Sequence, residues 1–243
     1  MTDTRAFVDG PVLTPLLIKE VNARLELNPL IMPASDDPSR PYLKWNMLFR
    51  SGQCQRSTDA GNRSWSTGRN APATWPRITS LKLISRSFPW VIDVKASNLE
   101  NGVTCGDVIE EIHRFMYVRV SRRQYSQASA NQQRALTNSY YHNRSTEPDV
   151  PGGTMPEGIL RVDWLGLDVF YGGVRQDDRF VLETCGAPIP CTFELLCIGK
   201  QMTDEDMRRF DEGEDRRGRR SRSRPPSTRQ SSRPPSQPPA DTT

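Results

Sequence analysis

An amphipathic segment near the middle of the chain constrains its fold more than any other feature. From Val108 to Met116 the apolar side chains recur at helical spacing, and charged side chains occupy the opposite face. Thr104 precedes this segment, and Asp107 lies three residues after Thr104, an arrangement that resembles a helix capping box. The pattern predicts a helix that begins near Thr104 and buries one face.

The residues on either side of this helix have the features of β-strands. Residues 81–85 and 90–95 alternate apolar and polar side chains, which is the period of a half-buried strand. Residues 42–49 are rich in aromatic and aliphatic side chains and are predicted to form an earlier strand. Four apolar runs after the helix are also predicted as strands, at residues 160–165, 168–171, 180–184 and 193–198.

Two further helices are predicted between these groups of strands. Ser121 with Gln124, and Ser129 with Gln132, have the spacing of capping boxes, and they predict helices over 121–128 and 130–143. An order of strands, helices and strands predicts an α+β fold. We expect a mostly antiparallel sheet of about five to seven strands, with two or three helices on one face.

Composition divides the chain into an N-terminal extension, one domain and a C-terminal tail. Residues 1–23 are expected to have low order, because Pro15 interrupts a helical pattern and leaves at most a short helix. Residues 24–200 are predicted to form a single α+β domain. Residues 201–243 are first acidic and then rich in Arg, Ser and Pro, a composition that predicts disorder.

One polar segment interrupts the predicted domain. Residues 51–76 are rich in Ser, Thr, Asn, Gly and Arg and have no periodicity, and Trp65 and Trp75 are their only large apolar anchors. A structureless connection of this length is unusual inside a compact domain. We therefore predict a mobile surface insertion.

The positive charge of the chain is concentrated in its last segment. The net charge is +4, but residues 216–243 hold eight Arg and one Asp, so residues 1–215 carry a net charge of −3. An arginine cluster of this kind neutralises phosphates on nucleic acid or serves as a nuclear-import signal. Ser221 and Ser223 lie between the arginines and are candidate phosphorylation sites. The alternative is a solubilising tail without a partner. The candidate contact residues are Arg216, Arg217, Arg219, Arg220, Arg222 and Arg224.

The sequence also points to an intracellular location, cytoplasmic or nuclear. No apolar run approaches the ~20 residues of a membrane span, and the first residues lack a secretory signal pattern, so no contact with a membrane is expected. Five cysteines without such a signal favour reduced thiols over a disulfide framework. Cys185 and Cys197 are interpreted as small apolar residues on strands, and no metal or cofactor is predicted.

Few residues suggest catalysis. Cys105 near a helix N-terminus has the position of an activated nucleophile, but His113 lies about 12 Å further along the helix and cannot be its base. We expect His113 to face solvent, Asp163 to lie on the solvated side of a strand, and Trp90 to anchor the core.

No phosphate loop, nucleophile elbow, zinc-protease motif or dinucleotide fingerprint occurs. The leading hypothesis is a non-catalytic protein-interaction module with an unknown protein partner. The alternatives are an RNA-binding or nuclear-associated protein that acts through the Arg/Ser tail, and an enzyme of unknown class.

Three separated strings resemble a fungal domain family that has no established function and is abundant in mushroom-forming species. They are P-R-I-T-S-L-K-L-I-S-R-S-F-P-W-V-I-D-V, N-G-V-T-C-G-D-V-I-E-E-I-H-R-F, and I-L-R-V-D-W-L-G at 159–166. The family pattern joins P-W-x-I-x-V to G-V-T-x-x-D-V and then to R-V-D-x-L-G. The resemblance covers about residues 24–185. It implies one fold unit and a fungal source, and it supplies no catalytic residues.

Overall fold

The structure, a computed structural model, describes residues 10–35, 37, 39–60, 63–144 and 155–199. The strands are β1 (Val12–Leu13), β2 (Glu26–Leu27), β3 (Leu43–Lys44), β4 (Gln55–Arg56), β5 (Thr74–Trp75), β6 (Arg77–Ile78), β7 (Ser80–Ile84), β8 (Ile92–Lys95), β9 (Phe170–Arg175) and β10 (Thr192–Ile198). The helices are α1 (Pro15–Glu20), α2 (Cys105–Met116), α3 (Arg122–Gln127), α4 (Ala130–Asn143) and α5 (Asp178–Cys185).

A four-stranded sheet in the order β8-β7-β10-β9 organises the described residues. The β7–β8 and β9–β10 pairs are antiparallel, and β7 and β10 are parallel. The other strands form two-stranded pairs, β1 with β6, β2 with β5, and β3 with β4. The predicted α+β class and the mostly antiparallel pairing are confirmed. The largest sheet is smaller than the five to seven strands expected.

Helix α2 forms as its sequence pattern predicts. The Thr104 hydroxyl accepts a hydrogen bond from the Asp107 amide at 3.0 Å, and the Asp107 carboxylate accepts one from the Thr104 amide at 2.9 Å. The buried face packs against β8, and each fully buried aliphatic side chain contributes about 1.5–3 kcal/mol. That face carries Val108, Ile109, Ile112 and Met116. The helices predicted over residues 121–128 and 130–143 are also confirmed, as α3 and α4.

Two of the predicted strands are helical instead. Residues Arg161–Leu165 form a 3₁₀ turn, because the Asp163 carboxylate accepts a hydrogen bond from the Leu160 amide at 2.8 Å and closes the turn locally. Residues 180–184 belong to α5. Asp177 caps the N-terminus of this helix, and Gly186, which has the left-handed conformation, terminates it.

Helix α5 packs on the face of the sheet opposite to α2. Phe180 and Val181 contact Ile84, whereas Leu83, its neighbour in β7, belongs to the main core beneath α2. Because successive side chains of a strand point to opposite faces, the two helices cover different faces. A helix on this second face adds to the single helical layer that the sequence predicted.

The segment over residues 51–76 is more ordered than its composition suggested. It holds a 3₁₀ turn at Ser51–Gln53 as well as β4 and β5, and Trp65 is only 2% exposed. The carbonyl groups of Arg69 and Ala71 accept hydrogen bonds from the Gly106 and Cys105 amides at 2.7 and 2.9 Å. These amides lie in the first turn of α2, where helical partners are missing. The expected structureless insertion is therefore wrong for its described residues, which cap the central helix.

The two ends of the chain differ in what is described. Residues 12–20 form β1 and the short helix α1, and β1 pairs with β6, so the predicted low order does not extend over this part. Residues 1–9 of the predicted extension, residue 200 and the predicted tail over residues 201–243 lie outside the described residues. Within the described residues, no helix has the length and apolar character needed to cross a membrane.

Candidate functional site

A cleft of about 530 Å³ opens between the β3–β4 pair, strand β9 and the end of β10. Its volume lies in the range of small-ligand and side-chain pockets. Five of its described lining residues are aromatic. The aromatic lining residues are Tyr42, Trp45, Phe49, Phe170 and Tyr171.

Hydrogen bonds between the segment around Trp45 and strand β9 hold the two walls together. The Met47 amide donates to the Val169 carbonyl at 2.8 Å, and the Tyr171 amide donates to the Trp45 carbonyl at 2.9 Å. Trp45 and Tyr171 are buried, and the Trp45 indole donates to the Phe49 carbonyl at 3.1 Å. The cleft floor is thus fixed before any ligand arrives.

Residues 30–33 cross over β9, and Met32 and Ala34 line the cleft next to this crossing. The Tyr171 hydroxyl donates to the Ile31 carbonyl at 2.7 Å. At Gly173, with φ of +99°, an added Cβ would lie 2.4 Å from the Pro33 nitrogen. Strand β9 can pass beneath this segment because glycine has no side chain there.

The polar groups of the cleft suit binding rather than acid–base chemistry. Lys44, Asn46, Gln53 and Gln55 are its charged and amide lining residues, and the Lys44 ammonium lies 5.7 Å from the centre of the Tyr42 ring. Among the described residues that line it, none is an acid, a histidine or a cysteine. The cleft therefore offers apolar surface and one cation.

A polar cluster lies behind Trp45, where the 51–76 segment contacts α2. The Ser51 hydroxyl donates to the Glu110 carboxylate at 2.7 Å, and the Arg69 guanidinium donates to the same oxygen at 3.3 Å. Together with His113, these residue types are those of a hydrolase triad, but Ser51 bonds to the acid and not to the imidazole. The cluster thus attaches the segment to the helix.

His113 does not face solvent as expected. Its ring packs against Tyr117 at 4.5 Å and Trp45 at 6.4 Å between ring centres, and its Nε2 atom is buried without a hydrogen-bond partner among the described residues. Burial lowers the pKa of His113, while Glu110 raises it and Arg50 and Arg114 lower it. The sequence placed His113 on the polar face of α2, but the segment around Trp45 covers that position.

This environment makes stability depend on pH. Because the pKa of His113 is lower in the folded state than in the unfolded state, the unfolded chain binds the proton first as pH falls. We expect the free energy of unfolding to decrease from about pH 7.5 to about pH 5. The His113→Gln variant should show a shallower decrease in urea unfolding measured across this range. Equal slopes for the two proteins would show that His113 does not cause the pH dependence.

The cysteines have the character of core residues rather than nucleophiles. All five thiols are unpaired. Burial raises the pKa of Cys54 and of Cys197 to about 12 and that of Cys105 further still. Cys105 is therefore not an activated thiol despite its place at a helix N-terminus. Cys197 lies on β10 as expected, but Cys185 ends α5 rather than lying on a strand.

Asp163 is buried, which corrects its expected position on a solvated strand face. It is 1% exposed, and its carboxylate accepts hydrogen bonds from the Asn143 amide at 2.9 Å and from the Arg144 guanidinium at 3.0 Å. The ion pair joins the end of α4 to the 3₁₀ turn. This arrangement explains Asp163 as a structural residue.

A second aromatic group surrounds Trp90, away from the lining of the cleft. The Trp90 ring contacts Trp164 at 4.9 Å and Phe115 at 6.3 Å, and the guanidinium of Arg161 lies 4.1 Å from the Phe115 ring centre. Trp90 is half-buried rather than a fully buried core anchor. We call Trp90, Phe115, Arg161 and Trp164 the Arg161 platform.

The remaining predicted site residues belong to the C-terminal arginine cluster. The arginines from Arg216 to Arg224, with Ser221 and Ser223, lie outside the described residues. Within the described part of the chain, no three His, Cys, Asp or Glu side chains form a group that would hold a metal ion.

The structure thus shows an α+β domain with a cleft that aromatic side chains line. Residues 43–180 match a family of unknown function, DUF6699, and because the match covers more than half of the chain, the chain belongs to that family. No curated protein and no solved structure matches the chain.

Proposed function

We propose that this chain is a non-catalytic protein-interaction module that binds a partner through its aromatic cleft. The observation that carries the proposal is the composition of the lining, in which five aromatic side chains converge with one cation and without a carboxylate, an imidazole or a thiol among the described residues. Binding energy at protein interfaces is concentrated in such aromatic positions.

The accessibility of the lining supports a protein ligand. Tyr42, Phe49 and Phe170 are only half-buried, so each has surface left for a partner to cover. A volume of about 530 Å³ accommodates one or two large apolar side chains. The amides of the lining offer hydrogen bonds to a peptide backbone, which fixes its orientation.

We further propose that the chain acts inside the cell, in the cytoplasm or nucleus, and five unpaired cysteines support this location. Nucleic-acid or nuclear association through the arginine cluster stays a prediction from sequence. An enzymatic role finds less support, because Ser51, Glu110 and His113 lack the hydrogen-bond order that catalysis requires.

Selection from a random peptide library displayed on phage tests the cleft. We expect the wild-type protein to enrich peptides with aromatic or large aliphatic anchors. The Tyr42→Ala variant should bind the enriched peptides about tenfold more weakly or worse, because it removes one wall of the cleft.

The matched control is Tyr141→Ala, which removes a 52% exposed tyrosine on α4. It should bind the same peptides with wild-type affinity. Failure to enrich any peptide, or equal losses for both variants, would contradict the proposed site. Thermal unfolding of both variants establishes that each is folded before binding is compared.

A further inference from the structure

We propose that the Arg161 platform is a second docking surface, which binds an acidic segment of a partner protein by pairing a carboxylate with Arg161 and an apolar side chain with the exposed edges of Trp90 and Trp164. It is separate from the cleft, since the described lining residues of the cleft include none of its members.

Arg161 carries a positive charge that is stacked on aromatic rings. Its guanidinium lies over the rings of Phe115 at 4.1 Å and Trp90 at 5.2 Å, and its Nε atom is buried without a hydrogen-bond partner among the described residues. Desolvation of a cation without an anion is unfavourable, and burial accordingly lowers the pKa of Arg161. Of its three side-chain nitrogens only Nε is buried in this way, so a carboxylate from outside would pair with the Nη atoms and supply the counter-charge.

The nearest acid along the chain does not serve this purpose. Asp163 lies two residues after Arg161, but its carboxylate is held by Arg144, Asn143 and the Leu160 amide in the interior. No described carboxylate forms an ion pair with Arg161; the described ion pairs involve other arginines and lysines. The geometry thus leaves the positive charge available to a ligand.

The platform holds Arg161 in a fixed position. The Arg161 amide donates to the Val118 carbonyl at 2.9 Å, and Arg119 and Leu160 form an antiparallel bridge beside it. The buried Phe88 ring supports Trp90 at 6.3 Å and Phe115 at 5.9 Å. A guanidinium stacked on aromatic rings is preorganised for two parallel hydrogen bonds to a carboxylate.

The surroundings of the platform favour a peptide over an isolated anion. Trp90, Phe115 and Trp164 are half-buried, so each ring keeps apolar surface that a ligand can cover. A small inorganic anion would leave this surface uncovered. A segment with Asp or Glu next to an aromatic or aliphatic side chain satisfies both features.

Nuclear magnetic resonance of the full chain tests this proposal with defined probes. We expect N-acetyl-Asp-Phe-amide at millimolar concentration to shift the indole N–H signals of Trp90 and Trp164, assigned by single substitution. The neutral N-acetyl-Asn-Phe-amide should shift them at least about fivefold less, because a charged hydrogen-bond partner is lost. Inorganic phosphate should cause no comparable shift.

Arg161→Gln should abolish the response to the acidic probe, and Arg119→Gln, which removes a neighbouring exposed arginine, should retain it. If Arg161→Gln does not fold, the comparison of the two probes on wild-type protein still shows whether binding requires the carboxylate. Equal shifts for both probes, or a shift with phosphate alone, would overturn the proposal. Because these reporters lie outside the cleft, failure here leaves the result of the phage selection unaffected.

Discussion

Replacing Gly173 with alanine is expected to destabilise the domain by about 3 kcal/mol or more. The new Cβ would lie 2.4 Å from the nitrogen and 2.6 Å from the Cα of Pro33. Both atoms belong to the backbone, so no side-chain rotation relieves the clash. The φ of +99° adds strain that glycine avoids. Strand β9 or residues 30–33 must therefore move, and the cleft, which Met32 and Gly173 both line, must change shape.

Two other glycines separate the steric cost from the conformational cost. Gly186 has φ of +71° and no atom within 4 Å of an added Cβ, so Gly186→Ala should cost only about 1 kcal/mol. Gly52 also has no atom within 4 Å and has an ordinary φ, so Gly52→Ala should change stability by about 0.5 kcal/mol or less. Urea unfolding of the three variants gives the comparison. If Gly173→Ala lowered the free energy of unfolding no more than Gly186→Ala, strand β9 and residues 30–33 would not be in contact.

The parts of the fold that the sequence predicted well are those whose signals are local. The capping residues Thr104, Ser121 and Ser129 lie within three positions of their partners, and the helices α2, α3 and α4 follow them closely. Alternation likewise predicted β7 and β8, and an apolar run predicted β10; all three strands contribute buried residues to one core. In each case neighbouring residues were enough to specify the element.

Two strand predictions were wrong because the hydrogen bonds of an aspartate fix a helical turn within an apolar run. Residues 180–184 are apolar enough for a strand, but Asp177 and Gly186 bound them with the two signals of a short helix. Both signals are visible in the sequence itself. At residues 161–165 the carboxylate of Asp163 turned the backbone, and its partner Arg144 is distant along the chain. Alternation alone cannot reveal such a contact.

The candidate site depended on long-range contacts and was less predictable. Tyr42, Trp45 and Phe49 were recognised only as strand residues, because their convergence with Phe170 and Tyr171 is set by the pairing of distant segments. Ser51 and Arg69 were missed for another reason, since they lie in a segment whose polar composition suggested an insertion. Their bonds to Glu110 show that such a segment can be part of the packed structure.

The ion pair between Arg144 and Asp163 provides the second large expected effect. Arg144→Met should destabilise the domain by about 3–5 kcal/mol, because it leaves the buried Asp163 carboxylate without a counter-charge. The lost guanidinium also donates to the Pro156 and Gly158 carbonyls at 3.1 and 2.9 Å, so the connection from α4 to this loop weakens as well. Urea or thermal unfolding measures the loss.

Two comparisons distinguish this electrostatic cost from a general loss of contacts. Lys82→Met removes the cation of an exposed pair with Asp93, whose side chains are 45% and 59% exposed, and should cost about 1 kcal/mol or less. The double variant Arg144→Met with Asp163→Asn no longer buries an uncompensated charge, yet its amide oxygen still accepts one hydrogen bond. It should be more stable than Arg144→Met alone by about 1 kcal/mol or more. If the double variant were less stable than the single one, hydrogen bonds from Asn143 and Leu160 to the carboxylate, rather than its charge, would govern the stability of this turn.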